Sequence, residues 1–139
     1  MANLSGKVAL ITGAGQGVGQ GIALALAAAG AAVAVSGRTL AKLDTTCGLI
    51  GERGGEALAI EGNVRDADSL AHMVEATMVR FGRIDILVNN AQEVPAGPLL
   101  SVSDEAFLGG FESGPLASFR LMKLVQPLMK AQGGGTIIN

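Results

Sequence analysis

The chain has 139 residues, 49% of them hydrophobic and 16% charged, which suits one domain with a real core and excludes a disordered chain. Its net charge of −2, with no run of Lys or Arg, argues against nucleic acid or an anionic membrane surface as the main partner. A single cysteine, Cys47, excludes an internal disulfide and suits a cytoplasmic setting, and no stretch reaches the roughly 18 apolar residues of a membrane span.

The first residues do not read as a signal peptide, because their short apolar run leads into turn glycines. That run, Lys7–Thr12, predicts a strand buried on both faces. Gly17–Ala29 predicts a helix ended by Gly30, and Ala32–Ser36 a second strand. Thr39 is placed to cap a helix from Leu40 to about Arg53, followed by a third strand over Ala57–Glu61. Asp66 is placed to cap a helix that Gly82 stops after Phe81, and Ile84–Val88 predicts a fourth strand. After a loop over Asn89–Leu100, Ser103 caps a long helix reaching about Ala131, with a kink expected near Gly114-Pro115. Thr136–Ile138 begins a fifth strand. This β-α alternation predicts an α/β fold, a doubly wound parallel sheet with helices on both faces, in one dinucleotide-binding domain over residues 1–139.

The sharpest local pattern is Thr12-Gly13-Ala14-Gly15-Gln16-Gly17-Val18-Gly19, set between a strand and a helix. Gly13 permits the turn, Gly17 lets backbone approach a pyrophosphate, and Gly19 lets the helix pack on the sheet. The helix start offers free N–H groups and partial positive charge to that anion. No Gly-Lys-Ser/Thr ends the turn, so a phosphate-loop NTPase is a poor match. The glycines alone also admit a methyltransferase-type nucleotide site. At the end of the second strand stands Ser36-Gly37-Arg38, without an acid for the ribose 2′-hydroxyl. Arg38 suits a 2′-phosphate, which favours NADP over NAD.

Over nearly its whole length the sequence resembles the short-chain dehydrogenase/reductase family. The resemblance rests on Thr12-Gly13-x-x-x-Gly17-x-Gly19, on Gly82–Val88 leading into Asn89-Asn90-Ala91, on Pro127-Leu128-Met129, and on Gly133–Asn139. It implies that Gly13, Gln16, Gly17, Val18 and Gly19 hold the pyrophosphate and that Arg38 meets the 2′-phosphate. It implies that Asn63 and Val64 contact the adenine, and that Asn90 and Ala91 line the nicotinamide-side ribose. Asn89 is expected to tie neighbouring strands. The implied activity is hydride transfer between NADP(H) and a small-molecule carbonyl or alcohol. The implied assembly is a homodimer or homotetramer through the long helix 104–131.

Three departures stand out. Gln92 replaces the glycine of the family's Asn-Asn-Ala-Gly, and Gly114, followed by Pro115, stands where the family has an Asn on the long helix. The family's catalytic Ser and Tyr-x-x-x-Lys follow the fifth strand, whereas this sequence has no Tyr and its lysines are Lys7, Lys42, Lys123 and Lys130. No catalytic residue is therefore assigned, and the 139 residues alone are expected to bind cofactor without turnover. Left alone, they are also expected to expose an apolar sheet edge at the fifth strand and to be poorly soluble or only partly folded unless an oligomer covers it. A non-catalytic nucleotide-binding module and a methyltransferase-like nucleotide binder rank behind the oxidoreductase.

Other residues receive structural expectations. His72 and Cys47 are lone side chains, Asp66 and Asp68 open a helix, and Asp85 is expected to make structural hydrogen bonds. No spacing of Cys, His or carboxylates suggests a metal. Phe107, Phe111 and Phe119 form an apolar stripe for core packing or a subunit contact. The loop Glu93–Leu100 is mostly apolar, compatible with an apolar alcohol or ketone.

Overall fold

A computed structural model describes residues 3–139; Met1 and Ala2, part of the N-terminal stretch, lie outside the described residues. Five strands, β1 (Val8–Thr12), β2 (Ala32–Gly37), β3 (Ala57–Glu61), β4 (Ile86–Val88) and β5 (Thr136–Ile138), form one parallel sheet in the order β3-β2-β1-β4-β5. They alternate with α1 (Gly17–Ala28), α2 (Leu40–Gly51), α3 (Ala67–Phe81) and a long helical stretch made of α4 (Asp104–Phe111) and α5 (Ala117–Ala131). The expected doubly wound α/β sheet is therefore the fold.

Every residue of β1 is buried, as its place between β2 and β4 requires. Alternate strand side chains feed two cores. Leu10, Ala34 and Leu87 meet Leu70, Met73, Leu121 and Val125, from α3 and α5, on one face. Ala9, Ile11, Val33 and Val35 meet Ala23, Leu43 and Ile50, from α1 and α2, on the other. The chain leaves β3 and returns on the far side of β1, so the strand order reverses between β1 and β4. In open parallel sheets, the crevice at the carboxyl ends of the strands beside such a reversal is where ligands bind.

Two expected helix caps form. Asp66 accepts from the Ser69 N–H at 2.8 Å, and the Ser103 hydroxyl accepts from the Ala106 N–H at 3.1 Å. Thr39 occupies the cap position of α2 but its side chain makes no capping bond; it lines the cleft described below. The expected kink takes a definite form. Residues Glu112–Leu116 make a π-helical segment in which the Ala117 amide reaches the carbonyl of Glu112. Pro115 has no N–H to donate, and a wider turn lets the helix pass it without breaking. Residue pairing in β4 begins at Ile86, two residues later than expected, because Asp85 is engaged as a junction. Its amide donates to the Val8 carbonyl and its carbonyl accepts from Thr136, both at 2.8 Å. Among the described residues, strand β5 pairs only with β4 and stands at the sheet edge, with Ile138 exposed.

The Asp85 carboxylate is the one buried charged side chain among the described residues. It accepts from the Val8 N–H at 2.9 Å and from Arg83 at 2.7 and 2.6 Å, and lies 3.4 Å from Lys7 Nζ. Burial alone would push its pKa up, but these hydrogen bonds and the positive charge of Arg83 outweigh burial and hold it below the usual carboxylate range. A carboxyl with a lower pKa folded than unfolded adds stability above its unfolded pKa, and that stability fades as pH falls through the folded value. Asp85→Asn is expected to cost about 2–3 kcal/mol at neutral pH, because a charged acceptor with several donors is lost. The cost should shrink below about pH 4. Urea unfolding of both proteins at pH 7 and pH 3 checks this; an equal gap at both values would refute the assignment.

Candidate functional site

Strand β1 ends where α1 begins, and the turn between them is built on close approach. Gly13 and Gly17 have positive φ, +66° and +58°. A Cβ at Gly19 would lie 2.3 Å from the Gly13 carbonyl oxygen and 2.4 Å from Asn90 Nδ2, so only glycine fits there. A Cβ at Gly17 would meet nothing within 4 Å, so the backbone there is open to a ligand. No described side chain caps the start of α1, and its first turn carries no acid, which leaves its N-terminal amides and dipole unopposed.

The end of β4 is tied to the same turn. The Asn90 and Ala91 amides donate to Thr12 Oγ1 at 3.1 and 3.0 Å. Asn90 Nδ2 donates to the carbonyls of Thr12 and Gly13 at 2.9 and 3.2 Å. Asn90 is thus a structural tie as well as a lining residue. Asn89 ties β4 to the end of β5, its amide nitrogen Nδ2 donating to Asn139 Oδ1 at 2.7 Å.

These contacts frame a cleft of about 340 Å³. All ten residues singled out from the sequence line it: Gly13, Gln16, Gly17, Val18, Gly19, Arg38, Asn63, Val64, Asn90 and Ala91. Asn63 arrives from the end of β3, where its Oδ1 accepts from the Arg65 amide at 3.0 Å. Arg38 stands at the end of β2 and is ion-paired with Glu93, from the loop after β4. Sequence reasoning overlooked two charged residues of this cleft. Lys42, on the first turn of α2, donates to Gln16 Oε1 at 2.5 Å, and Glu93 faces Arg38. Lys42 lies four residues after Arg38, in the first turn of α2, and a second cation so near Arg38 in the sequence was a usable signal. Glu93 had none, because only the tertiary fold brings the two loops together.

The two departures after β4 prove to be neighbours. A Cβ at Gly114 would lie 3.3 Å from Gln92 Cδ and Nε2. The Gln92 side chain therefore packs over the helix surface that Gly114 leaves bare. The π segment carries Ser113 inward, where its buried hydroxyl accepts from the Glu93 amide at 2.8 Å. Among the described residues, no group of three or more His, Cys, Asp or Glu is placed to hold a metal ion. Among the same residues, no helix is long and apolar enough to cross a membrane. The lone Cys47 thiol is pushed up in pKa by burial and by the nearby Asp44, away from thiolate reactivity.

A family model for short chain dehydrogenases matches residues 7–139. The chain belongs to the short-chain dehydrogenase/reductase family. An uncharacterized oxidoreductase of Thermotoga maritima is 44% identical over 138 residues, covering 99% of this chain and 54% of that protein. A short-chain type dehydrogenase/reductase from Mycobacterium marinum superposes with a TM-score of 0.91 at 38% identity, covering 97% of this chain and 55% of the other. A 7α-hydroxysteroid dehydrogenase, solved with NADH and 7-oxo-glycochenodeoxycholic acid, superposes with a TM-score of 0.92 at 35% identity, covering 97% and 52%. The chain thus spans about half the length of the short-chain dehydrogenases it matches. Its homologues are oxidoreductases, and family membership sets aside the methyltransferase reading.

The close packing at Gly19 gives a test of the turn. Gly19→Ala is expected to destabilise the protein by about 2 kcal/mol or more, despite the roughly 1 kcal/mol that Ala gains over Gly in a helix. Gly21→Ala, two residues on, meets nothing within 4 Å and should be neutral or stabilising. Thermal melts of the two variants compare them directly, and equal effects would mean the turn is not close-packed.

Proposed function

We propose that residues 1–139 form the dinucleotide-binding domain of an oxidoreductase that exchanges a hydride between NADP(H) and a small carbonyl or alcohol. One observation carries the reading: the ten residues assigned from sequence line a single cleft at the carboxyl ends of the strands, where α1 begins. The groups present fit a dinucleotide. The open backbone at Gly17 and the uncapped amides of Val18 and Gly19 suit a pyrophosphate, with Lys42 adding a cation beside them. Asn63 and Val64 form the wall for the adenine, and Asn90 and Ala91 the wall for the far ribose. Arg38 supplies a guanidinium fork for a 2′-phosphate, and no acid follows β2 to take a free 2′-hydroxyl. When bound, the nicotinamide supplies or accepts the hydride. The protein's part in these residues is to bind, to orient and to fix the far ribose against the end of β4.

Acid–base chemistry is assigned to no residue here, since the sequence contains no Tyr. The 139 residues by themselves are expected to bind without turnover. The substrate proposed is an apolar alcohol or ketone, supported by the exposed Val94, Leu99 and Leu100 on the loop beside the cleft. Arg38→Ala should weaken NADPH binding about tenfold or more while changing NADH binding little, as the loss of a charge-assisted fork contact predicts. Fluorescence titration with both cofactors decides it. Equal losses for the two would assign Arg38 to general electrostatics and remove the NADP preference.

We also propose that the protein is a homodimer or homotetramer through helix 104–131. Phe107, Phe111 and Phe119 are 63%, 51% and 53% exposed, so they are not core. An exposed aromatic stripe of this kind marks an interaction site. Phe111→Lys is expected to shift sedimentation toward a smaller species with the fold retained; an unchanged assembly would place the contact elsewhere.

A further inference from the structure

A chain of four alternating charges starts in the cleft, which Arg38 and Glu93 line, and runs outward from it. Arg38 pairs with Glu93, Glu93 lies 3.7 Å from Arg65, and Arg65 holds Glu112 through contacts of 2.9 and 2.6 Å. These groups come from the end of β2, the loop after β4, the loop after β3 and the π segment. The backbone of Glu93 is pinned by the bond from its amide to Ser113 Oγ, so its side chain is delivered to this place by the fold and not by a free loop.

We propose that Glu93 is a specificity-determining residue: its carboxylate competes with the cofactor's 2′-phosphate for Arg38, and so weakens discrimination between 2′-phosphorylated and unphosphorylated dinucleotides. The inference rests on the cofactor reading of the cleft. Two Arg and two Glu carry no net charge together, so the chain offers an incoming phosphate dianion little attraction while Glu93 stays on Arg38. Arg65, on the other side of Glu93, gives the carboxylate a second cation. Glu93 can leave Arg38 by a side-chain rotation without being stranded. Lys42, held by the neutral Gln16, keeps the rest of the cleft attractive to phosphate in either state. Glu93 therefore adjusts one contact, the one at the ribose 2′ position, and leaves the pyrophosphate contacts alone.

The pair is solvent-exposed, so the effect is bounded by what surface ion pairs contribute. The probes are 5′-AMP, which has a free 2′-hydroxyl, and 2′,5′-ADP, which carries the 2′-phosphate. Titration calorimetry at fixed ionic strength compares the full chain with its Glu93→Gln and Glu93→Ala variants, after thermal melts confirm that each folds. The expected result is that both variants favour 2′,5′-ADP over 5′-AMP about fivefold more than the unsubstituted protein does, with 5′-AMP affinity nearly unchanged. An unchanged ratio in both variants overturns the proposal. An equal gain for both ligands also overturns it, since Glu93 would then merely obstruct the cleft. A protein that binds 2′,5′-ADP, 5′-AMP, NADPH and NADH not at all would sink the cofactor reading itself, an outcome distinct from failure at Glu93.

Discussion

The fold's working end depends on one knot of hydrogen bonds, where Thr12 at the end of β1 receives the backbone and side chain of Asn90 at the end of β4. The Thr12 hydroxyl accepts two amides and its carbonyl accepts a third N–H donor, the Asn90 carboxamide. Buried polar groups must find partners, and here they find them across the place where strand order reverses. The knot draws the two strand ends together and leaves no room for a side chain on Gly19. The glycine at that position follows from the knot as much as from the needs of a ligand.

From this point the cleft is assembled by elements distant in sequence. The start of α1 supplies uncapped amides, the end of β2 supplies Arg38, and the loop after β4 supplies Glu93. Contrast among the helices is instructive. Helices α3 and α4 have side-chain caps and an acid in the first turn, whereas α1 and α2, whose starts both line the cleft, have neither. A helix start that spends nothing on its own amides leaves them for an anion. The Asp85 junction at the opposite end of the sheet does the converse work. It satisfies a buried carboxylate with donors from Arg83 and from the start of β1, binding β1, β4 and β5 into one frame.

The long helix shows how irregularities can be linked. Pro115 would break a regular helix, and the π segment absorbs it. The same segment carries Ser113 inward to anchor Glu93, and it leaves Gly114 bare where Gln92 packs. Two residues that depart from the family's pattern, far apart in sequence, thus occupy one volume. Each is intelligible beside the other and neither is so alone.

The sequence by itself determined the parallel α/β fold, because alternating apolar runs and helical periods admit few other arrangements, and it marked the glycine turn between β1 and α1, because close backbone approach requires glycine at stated spacings. It also marked Asp66 and Ser103 as caps, Asp85 as structural, and the ten residues that line one cleft. Tertiary structure alone decided the rest. Thr39 has a capping side chain in a capping place yet makes no cap. Asn90 spends its carboxamide on β1. The kink at Gly114-Pro115 is a π segment, and Phe107, Phe111 and Phe119 face solvent. Above all, Arg38 meets Glu93, 55 residues away in the chain. Local pattern encodes backbone geometry, which depends on near neighbours. The partners of a charged side chain depend on which loops the sheet order brings together, and no local pattern carries that.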